Sequence, residues 1–150
     1  MAHVVKTVTT TWSPERAFAY MADFSHAPEW DPGVVAARRQ DTGEVGPGSV
    51  FDLTVRVGGR RFPLRYEVTD FAPGRVTFTA RSAVIESVDT VTVVRRGEAT
   101  EVTYDARLRL RGILQLADPL LALGFSGVAD RAIRGLERRL GELNGTGEAA

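Results

Sequence analysis

Three side chains carry most of the chemistry this sequence offers: Glu86, Tyr66 and Tyr104. Glu86 lies in a β-rich run where Val84 and Val88 share its parity, and that register aims its carboxyl inward. Burial raises a carboxyl's pKa toward values useful for proton transfer or for orienting a ligand. The same run also reads with Ile85, Val91 and Val93 inward, with or without a bulge, and that register turns Glu86 to solvent. Tyr66 and Tyr104 fall on the inward positions of alternating runs, where a hydroxyl needs a partner. Each is either a polar ligand contact or a core aromatic bonded to backbone or water.

Other chemistries lack their residues. The only histidines are His3 and His26, and with no cysteine the chain has neither a disulfide nor the ligand set of a metal site. No metal and no cofactor is expected. His26 is either a lone general base or, beside a helix start, a surface residue. No spacing suggests a Ser-His-Asp set, no Gly-x-Ser-x-Gly elbow occurs, and Gly43 to Gly48 lacks the Gly-Lys-Ser/Thr ending of a phosphate loop.

The 150 residues imply one domain, long enough to bury a core without staples. Nineteen basic residues, all arginine but Lys6, balance 19 acidic ones. With no net charge there is no global attraction to polyanions, so no nucleic-acid partner is expected. Arg60, Arg61, Arg65, Arg107, Arg109 and Arg111 share an outer face with Glu67, Glu101 and Asp105, which reads as a mixed solvated surface. No apolar run of about 18 residues occurs and the N-terminus lacks a signal-peptide pattern. The expectation is a cytoplasmic protein, monomer or homodimer, with no stable membrane insertion.

The elements that position these groups follow from periodicity. β-branched residues dominate 3–11, a strand. Ser13-Pro14-Glu15 reads as N-cap, helix-starting proline and first-turn acid, and Ser25 to Trp30 restarts the pattern as a second short helix. Six strands follow at roughly 34–40, 49–57, 60–71, 75–81, 84–95 and 100–110, parted by turns such as Gly58-Gly59 and Ala72-Pro73-Gly74. Their alternation, as in Phe51, Leu53 and Val55 or Phe62, Leu64, Tyr66 and Val68, marks a sheet with one buried face. Only the stretch from Ile113 to Leu143 is left to cover it. Leucines and Ile133 recur there at helical spacing, and Asp118-Pro119 marks either the helix start or a kink. Asn144 to Gly147 is expected to end the helix, giving a domain over 1–143 and a flexible tail over 144–150.

Several segments carry a family likeness: Ser13-Pro14-Glu15-Arg16-Ala17-Phe18, Phe24 through Pro32, Gly97 through Tyr104, and Gly112 through Leu121. From about His3 to Leu143 the chain resembles the START-like (SRPBCC, or Bet v 1-like) superfamily, particularly its bacterial polyketide cyclase/dehydrase and lipid-transport branch. It departs where the family often has Gly-Thr-Arg-Val, reading Ala99-Thr100-Glu101-Val102 instead. The resemblance implies an α+β helix-grip fold: a seven-stranded antiparallel sheet, two short helices after strand one, and a long C-terminal helix packed across the sheet. It also implies a cavity between sheet and helix. These motifs shape the fold and do not by themselves assign chemistry.

The expected function is binding of an apolar small molecule, lipid or polyketide-like, in that cavity. Its walls are expected from Phe51, Leu53, Phe62, Leu64, Tyr66, Phe78, Tyr104 and Leu108 on the sheet and from Leu116 and Leu120 at the helix entry. Tyr20, Phe24 and Trp30, with Trp12, form either a lid or plain core. Two alternatives stand beside it: a cyclase or dehydratase that moves protons with Tyr66, Tyr104 or Glu86, and a protein-interaction module using the outer sheet face or helix entry. An inward Glu86 within reach of a tyrosine, beside a cavity of several hundred Å3, would favour chemistry.

Overall fold

The computed structural model describes the backbone of residues 2–57, 59–112 and 118–147, and their side chains except at 57, 118–126 and 142–147. Strand β1 (Ala2–Thr10) leads into helix α1 (Pro14–Ala22) and a 3-10 helix (Phe24–Glu29). Strands β2 (Val34–Arg39), β3 (Val50–Val57), β4 (Arg60–Ala72), β5 (Arg75–Arg81), β6 (Ile85–Arg96) and β7 (Ala99–Leu110) follow, and helix α2 (Asp118–Gly147) closes the chain. The Ser13 side chain accepts from the Arg16 N–H, capping α1 as its sequence implies.

The strands form one antiparallel sheet in the order β1-β7-β6-β5-β4-β3-β2. Register shifts between Val34 and Ala36 on β2 and between Val68 and Asp70 on β4 are β-bulges, which bend and twist the strands that carry them. A curved sheet results, and its concave face receives the helices. α2 packs against β1, the 3-10 helix against β2, and α1 against β6 and β7.

Two glycines make close approach feasible. Gly74 turns β4 into β5 at φ +76°, with the Val93 carbonyl oxygen only 2.9 Å from where a Cβ would stand. Gly135 meets the backbone of Trp30, and a Cβ there would overlap the Trp30 carbonyl oxygen. That contact presses α2 onto the end of the 3-10 helix. Phe24 stacks on Phe78 with centroids 4.1 Å apart and meets Phe51 and Tyr66 edge-on, making the aromatic centre of the core.

The helix-grip architecture and its strands agree with the sequence reading to within a residue or two. The chain departs from that reading at its end: α2 runs on to Gly147, through the stretch expected to stop it. Glycine in a helix costs about 1 kcal/mol relative to alanine, so such residues weaken a helix without forbidding it. α2 begins at Asp118, and the alternative turn from Ile113 lies outside the described residues. No helix among the described residues is long and apolar enough to cross a membrane.

Candidate functional site

A cavity of about 160 Å3 lies between the concave sheet face and α2. Leu53, Val55, Leu64, Ala106 and Leu108 line it from the sheet, Val128, Ala129, Ala132 and Ile133 from α2, and Phe24, Ala27 and Trp30 from the 3-10 helix and its end. The wall is mostly apolar. Its polar members are Lys6, Asp31, Arg56, Tyr66, Ser87, Asp89 and Tyr104.

Four of these form one hydrogen-bonded chain. Tyr66 Oη donates to Ser87 Oγ at 3.1 Å, Ser87 Oγ donates to Asp89 Oδ1 at 3.1 Å, and Tyr104 Oη donates to Asp89 Oδ2 at 2.7 Å. Strand register explains the meeting. Asp89 pairs with Ala106 and Tyr104 with Val91, so Tyr104 sits on the diagonal from Asp89, within reach of a long side chain. Tyr66 pairs with Ala80, which pairs with Ser87. The small Ala80 side chain lets the Tyr66 ring pass over β5 to the serine.

Asp89 is only 7% exposed. Burial, which disfavours the charged form, pushes its carboxyl up to about 7 against the hydrogen bonds from Tyr104 and Ser87, with nearby Asp31 and Asp105 adding to the rise. The same burial raises both tyrosine hydroxyls further above their ordinary range. Asp31, whose Oδ1 accepts the Gly33 N–H at 2.8 Å, is also raised by burial. The arrangement therefore holds a carboxyl that changes charge near neutrality, in a mostly apolar cavity, with its orientation set by the Ser87 and Tyr104 hydroxyls. Such a group can orient a polar ligand atom or exchange a proton with it.

Of the residues singled out by sequence, the structure brings Tyr66, Tyr104, Phe24, Trp30, Leu53, Leu64 and Leu108 to the cavity. Glu86 faces the other way. Its carboxylate meets Arg81 Nε at 3.1 Å and Arg109 Nη2 at 3.5 Å on the outer face, because β6 runs without a bulge and places Ile85, Ser87, Asp89, Val91 and Val93 inward. Phe51 and Phe78 are fully buried in the aromatic core rather than around the cavity. Phe62 shares the inward parity of β4 but lies near the strand's start and is 44% exposed. Tyr20 donates to Glu29 at 2.9 Å, and Glu29 also pairs with Arg139. Tyr20 thereby ties α1 to the 3-10 helix and α2, and burial followed by the Glu29 bond pushes its hydroxyl up to about 12. His26 stacks on Tyr20 and bonds the Tyr20 carbonyl oxygen through Nδ1. Trp12 packs edge-on against Tyr20 beneath the Arg16 guanidinium. The side chains of Leu116 and Leu120 lie outside the described residues.

Sequence patterning alone singles out neither Asp89 nor Ser87. Their signal was present, since the register with Ile85, Val91 and Val93 inward carries both to the same face. Among the described residues no group of three histidine, aspartate or glutamate side chains is placed to hold a metal ion.

Comparison with known proteins agrees with this geometry. A START superfamily protein from Mycobacterium smegmatis superposes with a TM-score of 0.75 at 18% identity, covering 93% of this chain and 97% of that one. The Zhui aromatase/cyclase from Streptomyces sp. R1128 gives 0.70 at 14% identity, covering 92% and 90%. A ginseng major latex-like protein from Panax ginseng gives 0.67 at 15%, covering 92% and 96%. At such identities these likenesses establish the shared fold alone. No curated protein matches the sequence significantly. Residues 1–141 match the family described as polyketide cyclase / dehydrase and lipid transport, and with nearly its whole length inside that match the chain belongs to this family.

Proposed function

We propose that this protein binds a small, mostly apolar molecule in the cavity between sheet and α2, with the ligand's one polar end set against the Asp89 and Tyr104 side chains. The observation that carries this reading is a buried, hydroxyl-oriented carboxyl in the wall of a mostly apolar space. A filled core has no use for a buried acid, whose desolvation costs stability. The family and the fold shared with an aromatase/cyclase support the same reading.

The size of the space narrows the ligand. About 160 Å3 falls below the several hundred Å3 of a drug-sized pocket and close to that of engineered apolar cavities that admit benzene. The buried part of the ligand is therefore about one ring or a chain of about six carbons. Titration with 1-hexanol, followed by amide NMR shifts, tests this. Saturable shifts clustered at Leu64, Ser87, Ala106 and Ala132 are expected, and Ala106→Phe, which fills the space, should abolish them. Shifts that are scattered, unsaturable or unchanged in Ala106→Phe would reject cavity binding.

One observation favours proton transfer as a second reading: the Asp89 carboxyl changes charge near pH 7 within hydrogen-bond distance of Tyr104. Faster deuterium uptake into a short methyl ketone in heavy water, lost in Asp89→Asn, would support catalysis. An unaltered rate would leave binding alone.

A further inference from the structure

Resting on the cavity reading above, we infer that the ligand is a small cationic amphiphile whose protonated amine is held by Asp89, with its apolar body against Leu53, Leu64 and Ala132.

The direction of the hydrogen bonds is the first argument. With Asp89 ionised, the Tyr66, Ser87 and Tyr104 hydroxyls spend their single protons along the chain that ends on its two oxygens. What this wall still offers is lone pairs. A ligand group seated against it must donate, so a carboxylate or a ketone, which only accepts, finds no free proton there.

Charge is the second. Among the described residues no cation lies within ion-pair distance of Asp89, and the charged groups that act on it, Asp31 and Asp105, are both acidic. The residues whose side chains are not described include no lysine, arginine or histidine. Buried carboxylates are ordinarily paired, because an uncompensated charge in an apolar interior is costly. An ammonium supplies both the missing donor and the missing charge, whereas an alcohol supplies only the donor.

The other charged groups of the cavity wall agree. Lys6 Nζ is held by Asp130 Oδ1 at 3.0 Å, the Arg56 side chain is exposed, and Asp31 adds a second carboxyl on which the exposed Arg131 acts. Trp30, Tyr66 and Tyr104 also line this wall, and aromatic rings attract cations.

Three probes of equal length decide it: hexylamine, 1-hexanol and hexanoate, titrated into the intact protein at pH 8.5 by calorimetry or NMR. Hexylamine should bind at least about tenfold more tightly than 1-hexanol, as expected for a hydrogen bond to a charged group, and hexanoate should bind most weakly. Asp89→Asn should remove the amine's advantage and leave 1-hexanol within about twofold. Equal binding of amine and alcohol, strongest binding of hexanoate, or an amine preference that survives Asp89→Asn would overturn the cationic ligand while leaving the cavity reading intact. Failure of all three probes on the unaltered protein would overturn both.

Discussion

Glu86 and Asp89 stand three residues apart on β6 and face opposite sides of the sheet. On the outer side Glu86 sits between Arg81 and Arg109, Asp52 is gripped by two nitrogens of Arg65 at 2.8 and 3.3 Å, and Asp105 meets both His3 and Arg107. On the inner side Asp89 accepts from the Ser87 and Tyr104 hydroxyls, with Tyr66 behind Ser87, and has no cation within ion-pair distance among the described residues. The outer acids balance charge locally in water, where such pairs contribute little to stability. The inner acid lowers stability by being buried, and the hydroxyls offset only part of that cost. The fold thus pairs Glu86, Asp52 and Asp105 with cations on its outer side and, among the described residues, leaves Asp89 and Asp31 without an ion pair in the cavity wall, the contrast on which the proposed ligand rests.

The largest test of that contrast is the stability of Asp89→Asn against that of Glu86→Gln. Because the Asp89 carboxyl is raised from 3.8 to about 7, the folded state holds its proton more tightly than the unfolded one. Stability linked to this group is fully present below pH ~4, falls as pH rises from there to about 7, and stays low above it. Asp89→Asn should therefore be more stable than the parent at pH 8.5, by up to roughly 4 kcal/mol in urea unfolding, with the gain vanishing near pH 4. Glu86→Gln should change stability by under ~1 kcal/mol, with no such trend. A destabilised Asp89→Asn at pH 8.5 would mean that the inner acid has a cationic partner after all.

Tyr104→Phe comes next. It strips the 2.7 Å donor from the ionised carboxylate and should cost about 1–3 kcal/mol at pH 8.5 and less at pH 5. Breaking the outer hydroxyl pair between Thr77 and Thr90 with Thr77→Val should cost about 1 kcal/mol or less and be insensitive to pH over that range. Smallest of all, Arg65→Ala on the outer face should cost about 0–1 kcal/mol, and the difference should shrink in 1 M salt. An outer-face loss as large as that of Tyr104→Phe would erase the distinction between the faces.

The fold was legible because in β3, β5 and β7 the large apolar residues fall mostly on a single parity. Around β6 valines fall on both parities, Val84 just before the strand and Val88 on one and Val91 and Val93 on the other, so its register could not be read from hydrophobicity alone. The inward polar residues Ser87 and Asp89 break the apolar run on the buried parity, and that interruption is the proposed site. Cavity lining was hard to read for a separate reason. Large side chains such as Phe51 and Phe78 attract notice but fill space, while the empty volume lies beside Ala27, Ala106, Ala129 and Ala132. The alternation also encodes neither the β4 bulge nor the close seating of Gly135 of α2 on Trp30, a residue of the cavity wall.

The ionisation of Asp89 in the unliganded protein tests the account most directly, read as the pH dependence of its side-chain carboxyl carbon shift by NMR. A midpoint near 7, moving down when hexylamine is added, is the predicted result. A midpoint in the ordinary carboxylate range near 4, unmoved by the amine, would contradict it.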